Sequence, residues 1–206
     1  MKHILTDVDG VLLNWVDPFH AWMEDRGYDL QDSNHYYMSS AYNIPVKQAM
    51  CLLEEFCTSD AACNLKAYAD AAVWLPRLAE KGWMITAITS FSTDPYLQRG
   101  RRNNLIREFG DIFTDVICTG FTGGKESYLK EWKNQRLWWI EDKASNAREG
   151  LNVGLKPILL NRPWNKEEPN IPYVNNWYEI YSMIIKDNEE YVRNKLKGNP
   201  YELREK

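Results

Sequence analysis

The chain has 206 residues, of which 44% are apolar and 26% charged, values typical of a soluble globular protein with one domain and a small insertion. The net charge of −4 argues against a broad nucleic-acid-binding surface, and no apolar run approaches the roughly 20 residues of a membrane span. We therefore expect a cytoplasmic protein. The spacing of its four cysteines matches no zinc site, and we interpret these residues as reduced cysteines.

The first predicted element is a short apolar strand that runs into Asp7-Val8-Asp9-Gly10. It places two carboxylates, one residue apart, at the carboxyl end of a strand, where an open α/β sheet binds its ligands. Like charges repel and desolvation disfavours both, so a bound cation would relieve the cost. Two solvated aspartates in a turn, or a calcium loop, are equally compatible with this stretch alone.

A helical block follows this strand. Helices are predicted over residues 15–26 and from 45 to about 56, separated by a polar, tyrosine-rich loop over 28–44. The block is too long for an ordinary crossover connection. We interpret residues 15–65 as a cap inserted above the site, which would exclude water and select the substrate.

Three later strands also end in residues suited to catalysis. A helix over 65–81, kinked or restarted at Pro76, leads into the first of them. The strand at 84–88 ends in Thr89-Ser90, the strand at 116–118 is followed by glycines and Lys125, and the strand at 137–140 ends in Glu141-Asp142. Four strands therefore deliver, in order, two acids, a hydroxyl, a lysine and two more acids.

The remaining predicted elements are helices and one more strand. A helix over 95–109 carries four arginines, which we interpret as a solvated basic face. The alternative is that an arginine near the start of this helix reaches a second phosphate. Short helices are predicted from Lys125 and from Lys143, a fifth strand at 157–160, and an amphipathic helix over 177–186.

The order of these motifs resembles that of the haloacid dehalogenase (HAD) superfamily of phosphohydrolases. The matching segments are DVDGV, ITS, K and IEDKASNA, within roughly residues 3–165. The resemblance implies an α/β fold with a Rossmann-like parallel sheet, helices on both faces, and a small helical cap after the first strand. The core would comprise 1–14 and 66–186, the cap 15–65, and a charged C-terminal tail or helix 187–206.

The resemblance also implies hydrolysis of a phosphomonoester through an aspartyl-phosphate. Asp7 would be the nucleophile, and Asp9 the general acid and then the general base. Thr89 would donate a hydrogen bond to the phosphoryl group, and Lys125 would neutralise it. Lys130 is the alternative to Lys125, although it lies a full turn further into its helix.

The same resemblance implies a Mg²⁺ cofactor held by oxygen ligands. Asp7 and Asp142 would bind it through carboxylates, Asp9 through its backbone carbonyl, and Glu141 directly or through water. For Glu141-Asp142 the alternative interpretation is an acidic helix N-cap.

A finer resemblance concerns the substrate. Residues 7–15 look like the start of the 5'(3')-deoxyribonucleotidases, which carry an aromatic residue, here Trp15, that stacks on the nucleobase. Phe56 would form a second wall of the base pocket, and Ser90 would bind substrate beside Thr89. Trp15 as a core residue at the cap hinge is the alternative.

We therefore expect a nucleotidase whose partner is a small-molecule phosphomonoester, with no membrane and no extended nucleic acid; a homodimer is left open. Other substrate classes remain open, because one fold hosts many activities. The alternatives are a phosphatase of sugar phosphates or other metabolites, a nucleic-acid end phosphatase, and a non-catalytic binding module.

Overall fold

The computed structural model of the chain describes residues 2–121 and 124–198. In this part of the chain, six parallel strands form one sheet in the order β3-β2-β1-β4-β5-β6. The strands are β1 (His3–Thr6), β2 (Met84–Ser90), β3 (Asp115–Thr119), β4 (Trp138–Glu141), β5 (Lys156–Leu160) and β6 (Tyr173–Val174). The predicted α/β class with a parallel sheet is confirmed.

Helices connect the strands. Those between β1 and β2 are α1 (Val16–Glu24), α2 (Met38–Ala41), α3 (Val46–Cys57), α4 (Asp60–Cys63) and α5 (Ala69–Glu80). The later ones are α6 (Pro95–Phe109), α7 (Glu126–Leu129), a 3₁₀ turn (Lys130–Trp132), α8 (Ala144–Asn152) and α9 (Trp177–Gly198).

Both faces of the sheet are buried. Successive side chains on a strand point to opposite faces, so Ile4 and Leu5 of β1 face away from each other. Ile4 belongs to a large apolar cluster that includes residues of α1, α3, α5 and α9. Leu5 packs with Ile88, Trp139 and Leu129 of α7 in a second cluster. Burial on both faces explains why the strands are apolar throughout rather than alternating.

Several local predictions differ from the structure. Val8, predicted to belong to the first strand, lies in the turn after β1, although it is fully buried. Helix α5 is continuous through Pro76, so a restart there is wrong. The two-residue strand β6 was not predicted, because it is too short to show a pattern.

The last helix is longer than its apolar periodicity indicates. We predicted an amphipathic helix over 177–186 followed by a charged tail or helix over 187–206, and α9 continues without a break to Gly198. Its polar second half contains no glycine or proline before that residue, so nothing in the sequence ends the helix earlier. Part of the predicted tail, residues 199–206, lies outside the described residues.

The segment predicted to form the cap contains α1 to α4. Its division from the core as a separate unit stays a prediction. Across 2–121 and 124–198, no helix is long and apolar enough to cross a membrane; the cytoplasmic location stays a prediction.

Candidate active site

The turn after β1 brings Asp7 to the edge of the sheet. The Asp7 amide donates to the carbonyl of Ile140 at 2.9 Å, which extends the β1–β4 pairing by one residue. The Val8 carbonyl then accepts the amides of Leu12 and Leu13 at 2.8 and 2.9 Å, closing the turn. Gly10 lies inside it at φ +85°, a backbone conformation that favours glycine.

Lys125 contacts two of the predicted acids. Its Nζ lies 2.6 Å from Asp7 Oδ1 and 2.9 Å from Glu141 Oε1, and its side chain is 1% exposed. Lys130, the alternative, instead pairs with Glu126 at the surface. The structure therefore places Lys125 beside the predicted nucleophile.

The loop before α7 is held by Glu149 of α8. One Glu149 oxygen accepts the backbone amides of Lys125 and Glu126 at 2.9 and 3.0 Å. A Cβ added at Gly124 would lie 2.2 Å from the same carboxylate, so glycine at this position leaves room for Glu149 in its present place. The start of α7 is thereby fixed against α8, which fixes the base of the Lys125 side chain.

Glu141 is fully buried and fully hydrogen-bonded. Its Oε1 accepts from Lys125 and, at 2.7 Å, from Asn146 Nδ2. Its Oε2 accepts the backbone amides of Asp142 and Lys143, each at 2.9 Å. A carboxylate accepts about four hydrogen bonds. Glu141 therefore positions Lys125 and the start of α8, and direct metal binding would require it to release one of these partners.

Asp142 lies at the same edge of the sheet and is buried. Its Oδ2 accepts from the indole Nε1 of Trp164 at 3.1 Å. Its backbone carbonyl accepts from Asn165 Nδ2 at 2.6 Å. A Cβ at Gly10 would lie 2.3 Å from Asp142 Oδ2, so glycine at that position leaves room for the acid. These contacts fix Asp142 opposite Asp7.

The donor set suits a hard divalent cation. Oxygens of Asp7, Glu141 and Asp142 lie within 4.8 Å of one another. Three carboxylates here face one ammonium, and a small oxygen-binding cation such as Mg²⁺ would balance the remaining charge. Because Glu141 is saturated, Asp7 and Asp142 are the carboxylates that could hold it. The predicted contribution of the Asp9 carbonyl stays a prediction.

The pKa values of Asp7 and Asp142 reflect their burial close to one another. Burial raises the pKa of Asp7 to about 7, against the opposing effect of Lys125. Burial, followed by the charges of Glu141 and Asp7, raises the pKa of Asp142 well above its ordinary value. Both pKa values are raised mainly because burial disfavours the charged carboxylate, and the neighbouring acids add to this effect.

Asp9 and Thr89 complete the predicted catalytic set. Thr89 is the last residue but one of β2 and is fully buried, and within the described chain its hydroxyl has no hydrogen-bond partner of good geometry. Burial raises the pKa of the Asp9 carboxyl, opposed by the charges of Arg101 and Lys125 and by the neighbouring Thr89 hydroxyl, which lies beside Asp9 without the geometry of a good hydrogen bond. An unpartnered buried hydroxyl is costly, and a ligand oxygen beside Asp9 could satisfy it.

Arg101 corrects one prediction. We interpreted the α6 arginines as a solvated face, yet the Arg101 side chain is 0% exposed and its Nη1 lies 2.9 Å from Asp9 Oδ1. Its neighbour Arg102 is exposed and pairs with Asp115, as a surface arginine would. Helical spacing alone does not separate the two, because Arg101 lies one turn before the apolar Leu105 and Arg102 one turn before the apolar Ile106.

A cavity of about 240 Å³ opens above these groups, between the predicted cap and the strand ends. It is predominantly lined by aromatic and apolar side chains. Residues of the strand-end side that line it include Asp9, Ser90, Phe91, Asp142 and Trp164. Residues of the opposite side include Trp15, His20, Tyr36, Tyr37, Met50 and Leu53.

The two predicted base-binding aromatics differ in position. Trp15 lines the cavity and stacks on Phe19 with ring centroids 4.5 Å apart. Phe56 is 0% exposed and contacts Trp15 edge-on at 5.4 Å from behind, without itself lining the cavity. Phe56 therefore does not form the predicted second wall of the pocket, because α3 places its side chain in the apolar core. Ser90 does line the cavity and accepts from the Thr119 hydroxyl at 3.2 Å.

From the sequence we predicted no site residue in the segment that follows β5. Arg162 Nε donates to the Gly10 carbonyl at 2.7 Å, which holds the turn that carries Asp9. Trp164 and Asn165 hold Asp142, as described above. The signal was present in the polar and aromatic NRPWN stretch that follows the fifth strand, because that position lies at the same edge of a parallel sheet.

Sequence comparison gives limited help. No protein-family model matches the chain. A 32.4 kDa uncharacterised protein of Enterobacteria phage T4, from its Gp30-rIII intergenic region, is 24% identical over 204 residues. The match covers 91% of this chain and 72% of the phage protein.

Comparison with solved structures is more informative. A predicted phosphatase from Clostridium acetobutylicum superposes with a TM-score of 0.66 at 14% identity, covering 90% of this chain and 98% of that one. A haloacid dehalogenase-like hydrolase from Streptococcus pneumoniae gives 0.63 at 12% identity, covering 89% and 98%. A candidate β-phosphoglucomutase from Thermotoga maritima gives 0.58 at 16% identity, covering 90% and 99%.

The chain has the HAD fold. At these identities the likeness concerns the fold, and activity must be argued from the site. None of the three descriptions names a nucleotidase, so that subtype stays a prediction.

Proposed function

We propose that this HAD-fold protein is a Mg²⁺-dependent phosphomonoester hydrolase that acts through an aspartyl-phosphate. The observation that carries the proposal is the Lys125 ammonium, buried 2.6 Å from Asp7 with Asp142 at the same edge. Phosphate esters are anionic and repel nucleophiles, so their hydrolysis depends mainly on charge neutralisation and alignment. A buried carboxylate beside a fixed cation supplies both.

The reaction has two steps. In the first, a carboxylate oxygen of Asp7 attacks phosphorus, the bond to the ester oxygen breaks, and Asp9 gives its proton to that oxygen. In the second, Asp9 accepts a proton from water as the water oxygen attacks phosphorus and the Asp7–phosphorus bond breaks. The net result is an alcohol and inorganic phosphate, with both aspartates restored.

The other residues stabilise charge. Lys125 neutralises the phosphoryl oxygens and lowers the pKa of Asp7 against the effect of burial, while the buried Thr89 hydroxyl donates to a phosphoryl oxygen. Bound Mg²⁺, held by Asp7 and Asp142, would supply further charge neutralisation of the transferring phosphoryl group.

For the substrate we propose a nucleoside monophosphate. Trp15 and other aromatic side chains line the cavity that opens beside Asp9 and Asp142, so a base could stack there while its phosphate reaches Asp7. Lys143 is the one lysine or arginine among the described residues that line this cavity, which does not favour a nucleic-acid strand. A sugar phosphate is the second candidate, because a candidate β-phosphoglucomutase shares the fold.

A phosphatase screen tests the proposal. Purified protein with Mg²⁺ should release phosphate from nucleoside monophosphates faster than from sugar phosphates, and EDTA should abolish release. Activity that withstands thorough chelation contradicts the metal requirement, and a preference for sugar phosphates selects the second candidate.

Trp15→Ala provides the sharper test of substrate class. Base–aromatic stacking is worth about 1–3 kcal/mol, so kcat/KM for nucleotides should fall by about 5- to 150-fold. Hydrolysis of a small aryl phosphate should hardly change. Trp22→Ala is a matched control, because Trp22 stacks on Phe19 in the same helix but does not line the cavity. Equal losses on both substrates would reject the nucleotidase assignment.

A further inference from the structure

Arg101 occupies an unusual environment for an arginine. It lies on α6, its side chain has no exposed surface, and its guanidinium carbon is 4.3 Å from the centroid of the Phe91 ring. Arginine is almost never fully buried unless it is paired. The charge must therefore be balanced inside the protein.

Asp9 supplies that balance. Arg101 Nη1 lies 2.9 Å from Asp9 Oδ1, the one acidic contact of this guanidinium among the ion pairs of the described residues. Within the same residues, the Arg101 nitrogens and Asp9 Oδ1 lack a hydrogen bond of good geometry, so charge attraction dominates the contact. Removing one partner of a buried pair leaves the other charge uncompensated.

Helix α6 makes a rigid platform for Arg101. Asp94 Oδ1 caps the helix by accepting the amide of Tyr96 at 2.7 Å. One turn beyond Arg101, Asn104 Nδ2 donates to the Leu65 carbonyl at 2.8 Å from a fully buried position. The helix is thus fixed at its start and along the face that carries Arg101.

Asp9 by itself is held less firmly. It follows the β1 strand by three residues and precedes Gly10, and its side chain is 19% exposed at the cavity. Asp7, by contrast, is fixed by both Lys125 and a backbone amide. The Thr89 hydroxyl also lies beside the Asp9 carboxylate, but Arg101 is its ion-pair partner among the described residues, so the orientation of Asp9 depends mainly on Arg101.

We propose that Arg101 is a positioning residue that fixes the Asp9 carboxylate for proton transfer. The inference rests on the proposed function, in which Asp9 is the general acid and base. Arg101 touches Asp9 rather than the cavity, so it acts through Asp9. Its loss should lower kcat without raising KM, because the substrate keeps its own contacts.

A double-mutant cycle tests this proposal, with p-nitrophenyl phosphate and saturating Mg²⁺. Arg101→Met should lower kcat by about 10- to 100-fold, the usual loss when a group that orients a reacting residue is removed. In an Asp9→Asn background the same change should lower kcat by less than about twofold, because there is no longer a carboxylate to position. Arg101→Lys should recover part of the loss.

Acid-quenched phosphoenzyme gives a second readout. The p-nitrophenolate group leaves without much help, so a misplaced Asp9 should slow mainly the attack of water. Arg101→Met should then accumulate phosphoenzyme, as Asp9→Asn should. A variant that is merely misfolded would form less phosphoenzyme than the wild type. Arg102→Met, on the same helix but exposed, is the matched control and should behave as wild type.

Each other outcome overturns a defined statement. An equal loss from Arg101→Met in both backgrounds, or a loss expressed in KM, overturns the positioning role of Arg101 and leaves the proposed function standing. Wild-type turnover in Asp9→Asn overturns the acid–base role of Asp9 and, with it, the role of Arg101.

Discussion

The two sides of the cavity are built in different ways. On the strand-end side, Asp7, Glu141 and Lys125 hold one another through charged contacts of 2.6 and 2.9 Å. On the opposite side, Trp15 and its neighbours hold one another by ring packing, with centroids 4.5 to 5.4 Å apart. Charged hydrogen bonds fix atoms to a few tenths of an ångström, whereas apolar packing tolerates substitution of similar volume.

In the proposed function, the strand-end side carries out the reaction and the aromatic side selects the substrate. Every phosphomonoester presents the same phosphoryl group, so the strand-end side can be rigid and common to all substrates. The remainder of the substrate differs, and in the proposed function it contacts the aromatic side. Changes on the strand-end side should therefore affect all substrates equally, while changes on the aromatic side should alter preference.

Asp7→Asn should have the largest effect. Loss of the proposed nucleophile should lower kcat by at least about 10³-fold for nucleotides and aryl phosphates alike. The fold should persist, since the change removes one charge from a crowded acidic site. Phosphate release and circular dichroism check both statements. Near-wild-type turnover in Mg²⁺ would contradict the mechanism.

Lys125→Met should combine loss of activity with loss of stability. Burial works against the charged form of Lys125, but Asp7 and Glu141 outweigh it and raise the pKa. Removing this cation leaves two buried carboxylates unpaired, so the free energy of unfolding should fall by roughly 3–5 kcal/mol in urea titrations.

Lys130→Met is the control for this variant. Lys130 and its partner Glu126 are exposed, and surface pairs contribute about 0–1 kcal/mol. Similar losses from the two substitutions would mean that Lys125 is not the cation on which the strand-end side depends.

Asp142→Asn should weaken Mg²⁺ binding by about 10- to 100-fold in titration calorimetry. The carboxylate is a predicted ligand, and an amide is a poorer donor to a hard cation. Trp164→Phe keeps the carboxylate and removes only its indole hydrogen bond, so it should weaken binding less. Unchanged affinity in Asp142→Asn would place the metal elsewhere.

The smallest expected effect concerns His20 on the aromatic side. Burial lowers the pKa of His20, against a weaker opposing effect of Asp17, and its Nδ1 pairs with the Tyr42 hydroxyl. The folded protein then binds fewer protons than the unfolded chain just below the ordinary histidine pKa of about 6.5. Its stability contribution is present above that pH and is lost as the pH falls.

His20→Asn should therefore make the melting temperature less sensitive to acid. Between pH 7.5 and 5.5 we expect the fall in Tm to shrink by about 1–3 °C. Scanning calorimetry at a series of pH values measures this difference. If the pH dependence of Tm is unchanged in His20→Asn, other groups cause the acid sensitivity. If His20→Asn changes the rate of aryl-phosphate hydrolysis, the aromatic side also affects the reaction itself, against the proposed division between the two sides.

Most of the strand-end side follows from the sequence. Asp7, Thr89, Lys125 and the Glu141-Asp142 pair each come at or after the end of an apolar strand. Parallel strands bring their carboxyl ends to one edge, so a one-dimensional pattern predicts a three-dimensional cluster. The turn at Gly10 could be predicted in the same way, because its backbone conformation is a local property.

Tertiary structure decided the contacts that depend on how elements pack. Adjacent arginines on α6 differ because Arg101 faces Asp9 while Arg102 faces Asp115. Phe56 and Trp15 are both aromatic, yet only Trp15 reaches the cavity. The sequence gives each helix an apolar face through its apolar period. Which partner that face contacts is set only when the helices dock on the sheet, and this decides whether a side chain lines the cavity or fills the core.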